Sequence, residues 1–242
     1  MSRHEERTYR KMVSTKDMTS FTVTVKETDL LISADRKLEK ETADLVFECR
    51  GQLETYINIH PEFATSLLPC GKDPYAPSMI REMIDVTRGL GVGPMASVAG
   101  AIAQYVGRGL MRITDQVIVE NGGDIFLKAG RPVTVSIFAG DSLLSEKFGL
   151  LISERQMPLG VCSSSARVGH SLSKGIADVV CLLSPSAALA DGAATALGNR
   201  IMEKKDIEKV AGRSNEIEGI VGGVAIVEDS MATWGDVELV EL

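Results

Sequence analysis

Apolar and polar positions alternate with period two along Phe21-Thr22-Val23-Thr24-Val25, which predicts a half-buried strand. Leu30-Leu31-Ile32-Ser33 predicts its hairpin partner after a turn at Glu27-Thr28-Asp29. Over 38–59 the period lengthens. Leu38, Ala43, Leu45, Val46, Leu53 and Ile57 recur at helical intervals until Pro61 stops the run. Residues 67–77 read as loop, and a second amphipathic helix is predicted over 78–90, opened after Pro77 and closed by Gly89 and Gly91. Between 91 and 101 nearly every residue is small, and a helix continues from there to about Leu110. Two β-branched runs, 116–119 and 125–127, flank Asn121-Gly122-Gly123, a hairpin connection that requires positive φ.

Further strands are predicted at 132–139, 148–153, 177–182, 222–227 and 237–240, with a loop over 161–175. Ser184 followed by Pro185 predicts an N-cap and first turn for a helix reaching about Met202. Residues 204–214 read as charged surface, and the lone Trp234 stands beside a Gly235-Asp236 turn. Strands come in consecutive pairs and helices in blocks, without βαβ alternation. The expectation is an α+β fold with mainly antiparallel sheet, in a single domain spanning 1–242 whose polar residues 1–16 are loosely ordered.

Composition narrows the partners. A chain of 242 residues is long enough for one domain with a large core. The formal net charge of −7 argues against an electrostatic grip on nucleic acid or on an anionic membrane surface. No apolar run approaches the roughly 20 residues of a membrane span. The charged start, through Arg7, has no apolar segment behind it, so the expected location is cytoplasmic. Cys49, Cys70, Cys162 and Cys181 are widely spaced without a Cys-x-x-Cys pair, which fits neither a zinc site nor a disulfide scaffold.

Three stretches carry candidate chemistry. Glu120 and Asp124 flank two glycines with bare N–H groups, a setting for a polar ligand or hydrated cation, although Asn-Gly and Gly-Asp are also ordinary turn chemistry. Gly93 to Ala96 place N–H groups at a helix start, where phosphate binds; tight packing of helix on sheet is the competing explanation. Asp191 and Thr195, four residues apart, share a helix face and offer the oxygen ligands magnesium prefers. A pair at this interval also fits a solvated face, but the surrounding alanines mark a buried helix on which these are the polar side chains. Cys162 follows Gly160 among serines, eight residues before His170; an imidazole brought close would lower the thiol pKa, whereas a small buried hydrophobe is the plainer role.

The order of Gly-rich helix start, Gly-Gly-Asp turn, Ser-rich loop with His170, and Ala-Asp-x-x-x-Thr helix over 91–199 resembles the ApbE-like superfamily, which includes the magnesium-dependent FAD:protein FMN transferases. Val119-Glu120-Asn121-Gly122-Gly123-Asp124-Ile125 is similar to that family's Gly-Gly-Asp run, with Glu120 where the family has Asn. Ala190-Asp191-Gly192-Ala193-Ala194-Thr195-Ala196-Leu197 is similar to its metal-binding helix, and Ser97 stands where the family has Lys. The resemblance implies a single ApbE-like domain, magnesium on Asp191 and Thr195, and a flavin nucleotide or other phosphate ligand. That ligand would lie along Gly93, Ala96, Ser97, Glu120, Asn121, Gly122, Gly123, Ser163 and Ser164, with Asp124 or His170 as proton acceptor. Residues 92–100, 168–175 and Trp234-Gly235 resemble the branch known as uncharacterised protein family 0280, of anaerobic bacteria and methanogenic archaea. That branch has been linked to anaerobic sulfur assimilation leading to homocysteine, and homo-oligomers are expected there. Three readings follow: a magnesium-assisted phosphate-ester site, a sulfur-handling role through Cys162, and a non-catalytic binding protein on the same scaffold.

Overall fold

The computed structural model describes Val13 and residues 17–166 and 174–242. The expectations for 1–12, 14–16 and His170 lie outside these residues. Among them are six helices and eleven strands in two sheets. The chain opens with β1 (Thr19–Val25) and β2 (Thr28–Ala34), then α1 (Glu39–Ile59), the short α2 (Glu62–Thr65) and α3 (Ser78–Leu90). A 3-10 turn, Pro94–Ser97, leads into α4 (Val98–Leu110), followed by β3 (Val117–Asn121), β4 (Asp124–Lys128), β5 (Val133–Ser136) and β6 (Phe148–Ile152). The remainder is β7 (Leu159–Ser164), β8 (Val179–Ser184), α5 (Ala187–Gly198), α6 (Asp206–Ser214), β9 (Gly222–Val227), β10 (Ser230–Gly235) and β11 (Glu238–Glu241).

Eight strands form one sheet in the order β1-β2-β3-β4-β7-β8-β9-β10, and β11-β6-β5 form a second; every neighbouring pair is antiparallel. The α+β expectation therefore holds. Side chains of a strand alternate between faces, and here each face of the large sheet has its own core. Val119, Phe126, Cys162, Val180 and Leu182 point to the helices. Ile118, Ile125, Leu127, Val161 and Leu183 point the other way, onto Val133, Val135, Leu150 and Ile152 of the small sheet. Burial on both faces is why β8 and β9 read as unbroken apolar runs while the outer β1 alternates.

Three local expectations are corrected. Residues 161–164 belong to strand β7, not a loop, because pairing with both β4 and β8 satisfies a backbone whose serines lower its intrinsic strand preference. Helix α5 begins two residues later than predicted, capped by Ser186, whose Oγ accepts the Leu189 N–H at 3.2 Å, and it stops at Gly198. Residues 204–214 contain α6, whose Ile207 and Val210 are buried. Trp234 lies within β10, just before the turn at Gly235 (φ +73°) and Asp236, its ring against Gly223.

Helix α5 positions the site. It packs on β7, β8, α3 and α4. A helix enclosed on all sides must be apolar all round, which accounts for its alanines. Small residues also let neighbouring backbones close in. A Cβ at Gly100 of α4 would lie 2.3 Å from the Ala187 carbonyl oxygen, and one at Gly160 of β7 would lie 2.4 Å from Ala187 Cα.

Candidate functional site

The β3–β4 hairpin closes on Gly122 and Gly123 with φ of +65° and +106°, the two-residue loop of an Asn121–Asp124 pair. Strand alternation then decides what each neighbour faces. Asn121 and Asp124 point to the helix layer and Glu120 to the opposite side. The Asn121 Nδ2 group donates to the Ala99 carbonyl at 3.1 Å, tying the hairpin to the first turn of α4. Glu120 Oε1 accepts the Gly123 N–H at 2.9 Å, so that donor is used within the turn. The two carboxylates flanking the glycines therefore serve different faces.

Across from the hairpin, Asp191 Oδ2 accepts the Gly100 N–H at 2.9 Å, and the Ala99 N–H also stabilises its charge. These are first-turn donors of α4, whose own N-cap residue Ser97 makes no side-chain capping bond. Asp191 thus caps α4 from another helix, and the anion held at this helix start is a protein carboxylate. On β4, Asp124 Oδ1 accepts the Ser163 N–H at 3.1 Å. Both carboxylates are buried, with 7% exposure each. Burial pushes the pKa of both up; the Asp191 charge raises Asp124 further, while the Ser163 N–H and the Cys162 thiol at Asp124, and the Gly100 and Ala99 N–H groups at Asp191, act in the opposite sense. Among the described residues, no Lys, Arg or His forms an ion pair with either. Two buried carboxylates close together, without a positive partner among the described residues, could hold a cation, and Thr195 is half-buried one turn along α5. No cluster of three or more His, Cys, Asp or Glu that could hold a metal ion occurs among the described residues.

Other expected site residues are placed differently. Gly93 backs onto the Ser66 carbonyl, and the Ala96 N–H donates to the Gly93 carbonyl at 3.1 Å, within the 3-10 turn. Ser97 is fully buried and donates to the Pro94 carbonyl at 2.9 Å. Ser164 lies on the helix face near Gly198, whereas Ser163 reaches the site through its backbone N–H. Cys162 is fully buried beside the two carboxylates; burial first, then the Asp124 and Asp191 charges, push its thiol well up, opposite to the lowered pKa expected of a nucleophile. Burial also raises Cys49 to about 11 and Cys181 to about 12. Cys70 is partly exposed. Iodoacetamide applied to the folded protein at pH 8 is therefore expected to add one adduct, on Cys70, with the other three thiols reacting only after unfolding; peptide mass mapping reads this directly.

Sequence reasoning missed Ala99 and Gly100 as the capping donors and Gly160 as the close-approach residue. The run of small residues carried that signal, but its donors were read as open to a ligand. Also unread was a cavity of about 350 Å³ beside the site, walled by Leu53, Ile57, Met95, Val98 and Ile102, with Arg50 at its polar side. It shares Ala99 and Asn121 with the site.

A family model described as AbpE bacteria matches residues 10–230. A UPF0280 protein of Methanocella arvoryzae is 39% identical over 212 residues, 87% of this chain and 86% of that protein. Another, from Methanocaldococcus jannaschii, is 37% identical over 226 residues, 90% and 92% of the two chains. The chain belongs to this ApbE-like UPF0280 family. Among solved structures, the apo flavinyl transferase ApbE of Pseudomonas stutzeri superposes with a TM-score of 0.59 at 15% identity, covering 90% of this chain and 94% of that one. A mutant of the flavin transferase ApbE from Vibrio cholerae gives 0.56 at 15% identity, covering 90% and 97%. These likenesses establish the ApbE-like fold. No helix among the described residues is long and apolar enough to cross a membrane.

Proposed function

We propose that this protein binds a flavin nucleotide or a related phosphate ester together with magnesium, in a site of the phosphoryl- or FMN-transfer kind. The observation that carries the reading is the pair of buried carboxylates, Asp191 and Asp124, held by backbone N–H groups and lacking a cationic partner among the described residues. Asp191 and Thr195 are the residues that would hold the cation, with water and ligand oxygens completing its shell. A bound magnesium would supply charge neutralisation and polarisation to phosphate oxygens. Asp124, held by the Ser163 N–H, would accept a proton from an attacking hydroxyl or water. The glycine hairpin shapes the entrance, and the adjoining cavity has the size and apolar wall to take a ring system. The names of the neighbouring flavin transferases agree with that choice of ligand.

The test is a melting series with FAD, FMN and ATP, with and without magnesium. The expected result is a rise in Tm with nucleotide and magnesium together, larger than with either alone. Ile57→Trp, which fills the cavity from α1, should abolish the nucleotide effect and preserve that of magnesium with pyrophosphate. No shift with any nucleotide would remove the proposal. The sulfur-carrier reading gains nothing from the buried, protonated setting of Cys162.

A further inference from the structure

Resting on the cation reading above, we infer that Cys162 and Gln104 are positioning residues that set the aim of the Asp191 carboxylate through the Ala187 peptide. The two ends of that peptide are held by side chains from different elements. Its N–H donates to Gln104 Oε1 of α4 at 2.8 Å, and its carbonyl accepts the Cys162 Sγ–H of β7 at 3.3 Å, a thiol that also lies within hydrogen-bond reach of Asp124. The helical repeat makes the same carbonyl the acceptor for the Asp191 N–H, so Cys162 grips α5 one turn before the ligand residue. Gln104 is fixed in turn: its Nε2 group donates to both oxygens of Glu82 on α3 at 2.9 Å, and Glu82 Oε1 also accepts the Ser186 hydroxyl at 2.8 Å. Cys162, Gln104 and Ala187 are all at most 2% exposed.

Apolar side chains would fill this space without the cost of satisfying buried polar atoms. What a bonded peptide adds is register. The α5 start cannot slide or rotate without breaking both anchors, and a ligating carboxylate must be held to within about 0.5 Å to stay productive. The Asp191 carboxylate is itself bonded to Gly100 on α4, the helix that carries Gln104, so both ends of this turn of α5 are referenced to one element.

The experiment uses manganese alone as the probe, its affinity measured by calorimetry and its coordination by electron paramagnetic resonance. Cys162→Ala is expected to weaken manganese binding about tenfold, the lower end of what outer-shell partners of a metal ligand contribute. Cys181→Ala is the control, since Cys181 is equally buried but faces the other core, and it should lose similar stability without losing affinity. Cys162→Ser, which restores a donor to the Ala187 carbonyl, should recover most of the affinity and the wild-type spectrum. Gln104→Leu breaks the other anchor without touching Asp124 and should repeat the loss, which covers the case in which Cys162→Ala does not fold; wild-type affinity in Gln104→Leu would mean that Cys162 acts on Asp124 directly and overturns the inference. Wild-type affinity in Cys162→Ala, or no recovery in Cys162→Ser, overturns the inference while leaving the cation site standing. A wild-type protein that binds no manganese overturns both.

Discussion

Gly100→Ala is expected to destabilise the protein by more than about 3 kcal/mol, although Ala is the better helix former by about 1 kcal/mol. The sign turns on one contact. The added methyl would lie 2.3 Å from the Ala187 carbonyl oxygen and 2.8 Å from Asp191 Cβ, and the first of these is backbone in the middle of a packed layer, unable to swing aside. Relief requires α4 and α5 to separate, which opens the interface that holds Asp191 against the α4 amides. Gly51→Ala supplies the contrast. Gly51 is also helical, its Cβ would meet nothing within 4 Å, and the same substitution there should stabilise by about 0.5–1 kcal/mol. Urea titration of the three proteins separates the two effects: the midpoint should fall for the first and rise for the second at unchanged slope. A chain of this size shifts roughly 2–4 °C in Tm per kcal/mol, so Gly100→Ala should melt at least about 6 °C lower. Equal or higher stability in Gly100→Ala would mean that α4 and α5 do not meet as closely as described.

That contact also shows where the sequence was legible. Period and punctuation located α1 and α3, because each buries one face and turns another to water and because Pro77 and Gly91 mark ends that the backbone enforces, whereas α4, buried almost all round, was marked by its run of small residues. The Gly-Gly hairpin was legible for the same reason: two adjacent positive φ angles leave few alternatives. Features decided by three-dimensional enclosure were less so. Strand β7 carries serines that favour loops in isolation, and it is a strand because β4 and β8 lie on either side. Ser184 and Ser186 are equally good caps locally; packing of the α5 start against Gln104 and Glu82 selects Ser186. Glu120 and Asp124 looked equivalent around the turn, and strand alternation sent them to opposite faces. The amides at the start of α4 looked available for phosphate, and only the fold shows Asp191 occupying them. The family resemblance implied that Asp191 and Thr195 would hold a metal, but the reason a cation would be wanted there, a second buried carboxylate nearby, required the sheet and the helix to be brought together.

Asp191→Asn puts that reason to the test because it should move stability in opposite directions with and without metal. In the metal-free protein Asp191 and Asp124 are buried together; burial disfavours the charge of both, and the Asp191 charge disfavours that of Asp124 further. The amide keeps an oxygen for the Gly100 N–H, preserves the shape of the side chain, and removes one buried charge. Neutralising such a site is often neutral or stabilising by about 1 kcal/mol or more, so the metal-free variant should melt at or above wild type. With magnesium the order should reverse. A cation binding only the folded state at a hundredfold excess over its Kd adds about 2.7 kcal/mol, or roughly 5–10 °C for a chain this long, and the variant, lacking the ligating charge, should gain none of it. Four melting curves suffice: both proteins, with chelator and with excess magnesium. Crossing of the two pairs is the expected outcome, because desolvation governs the empty corner and ligation the filled one. Parallel shifts would show that magnesium binds elsewhere, and a destabilised metal-free variant would show that the Asp191 charge is stabilised by something other than a cation.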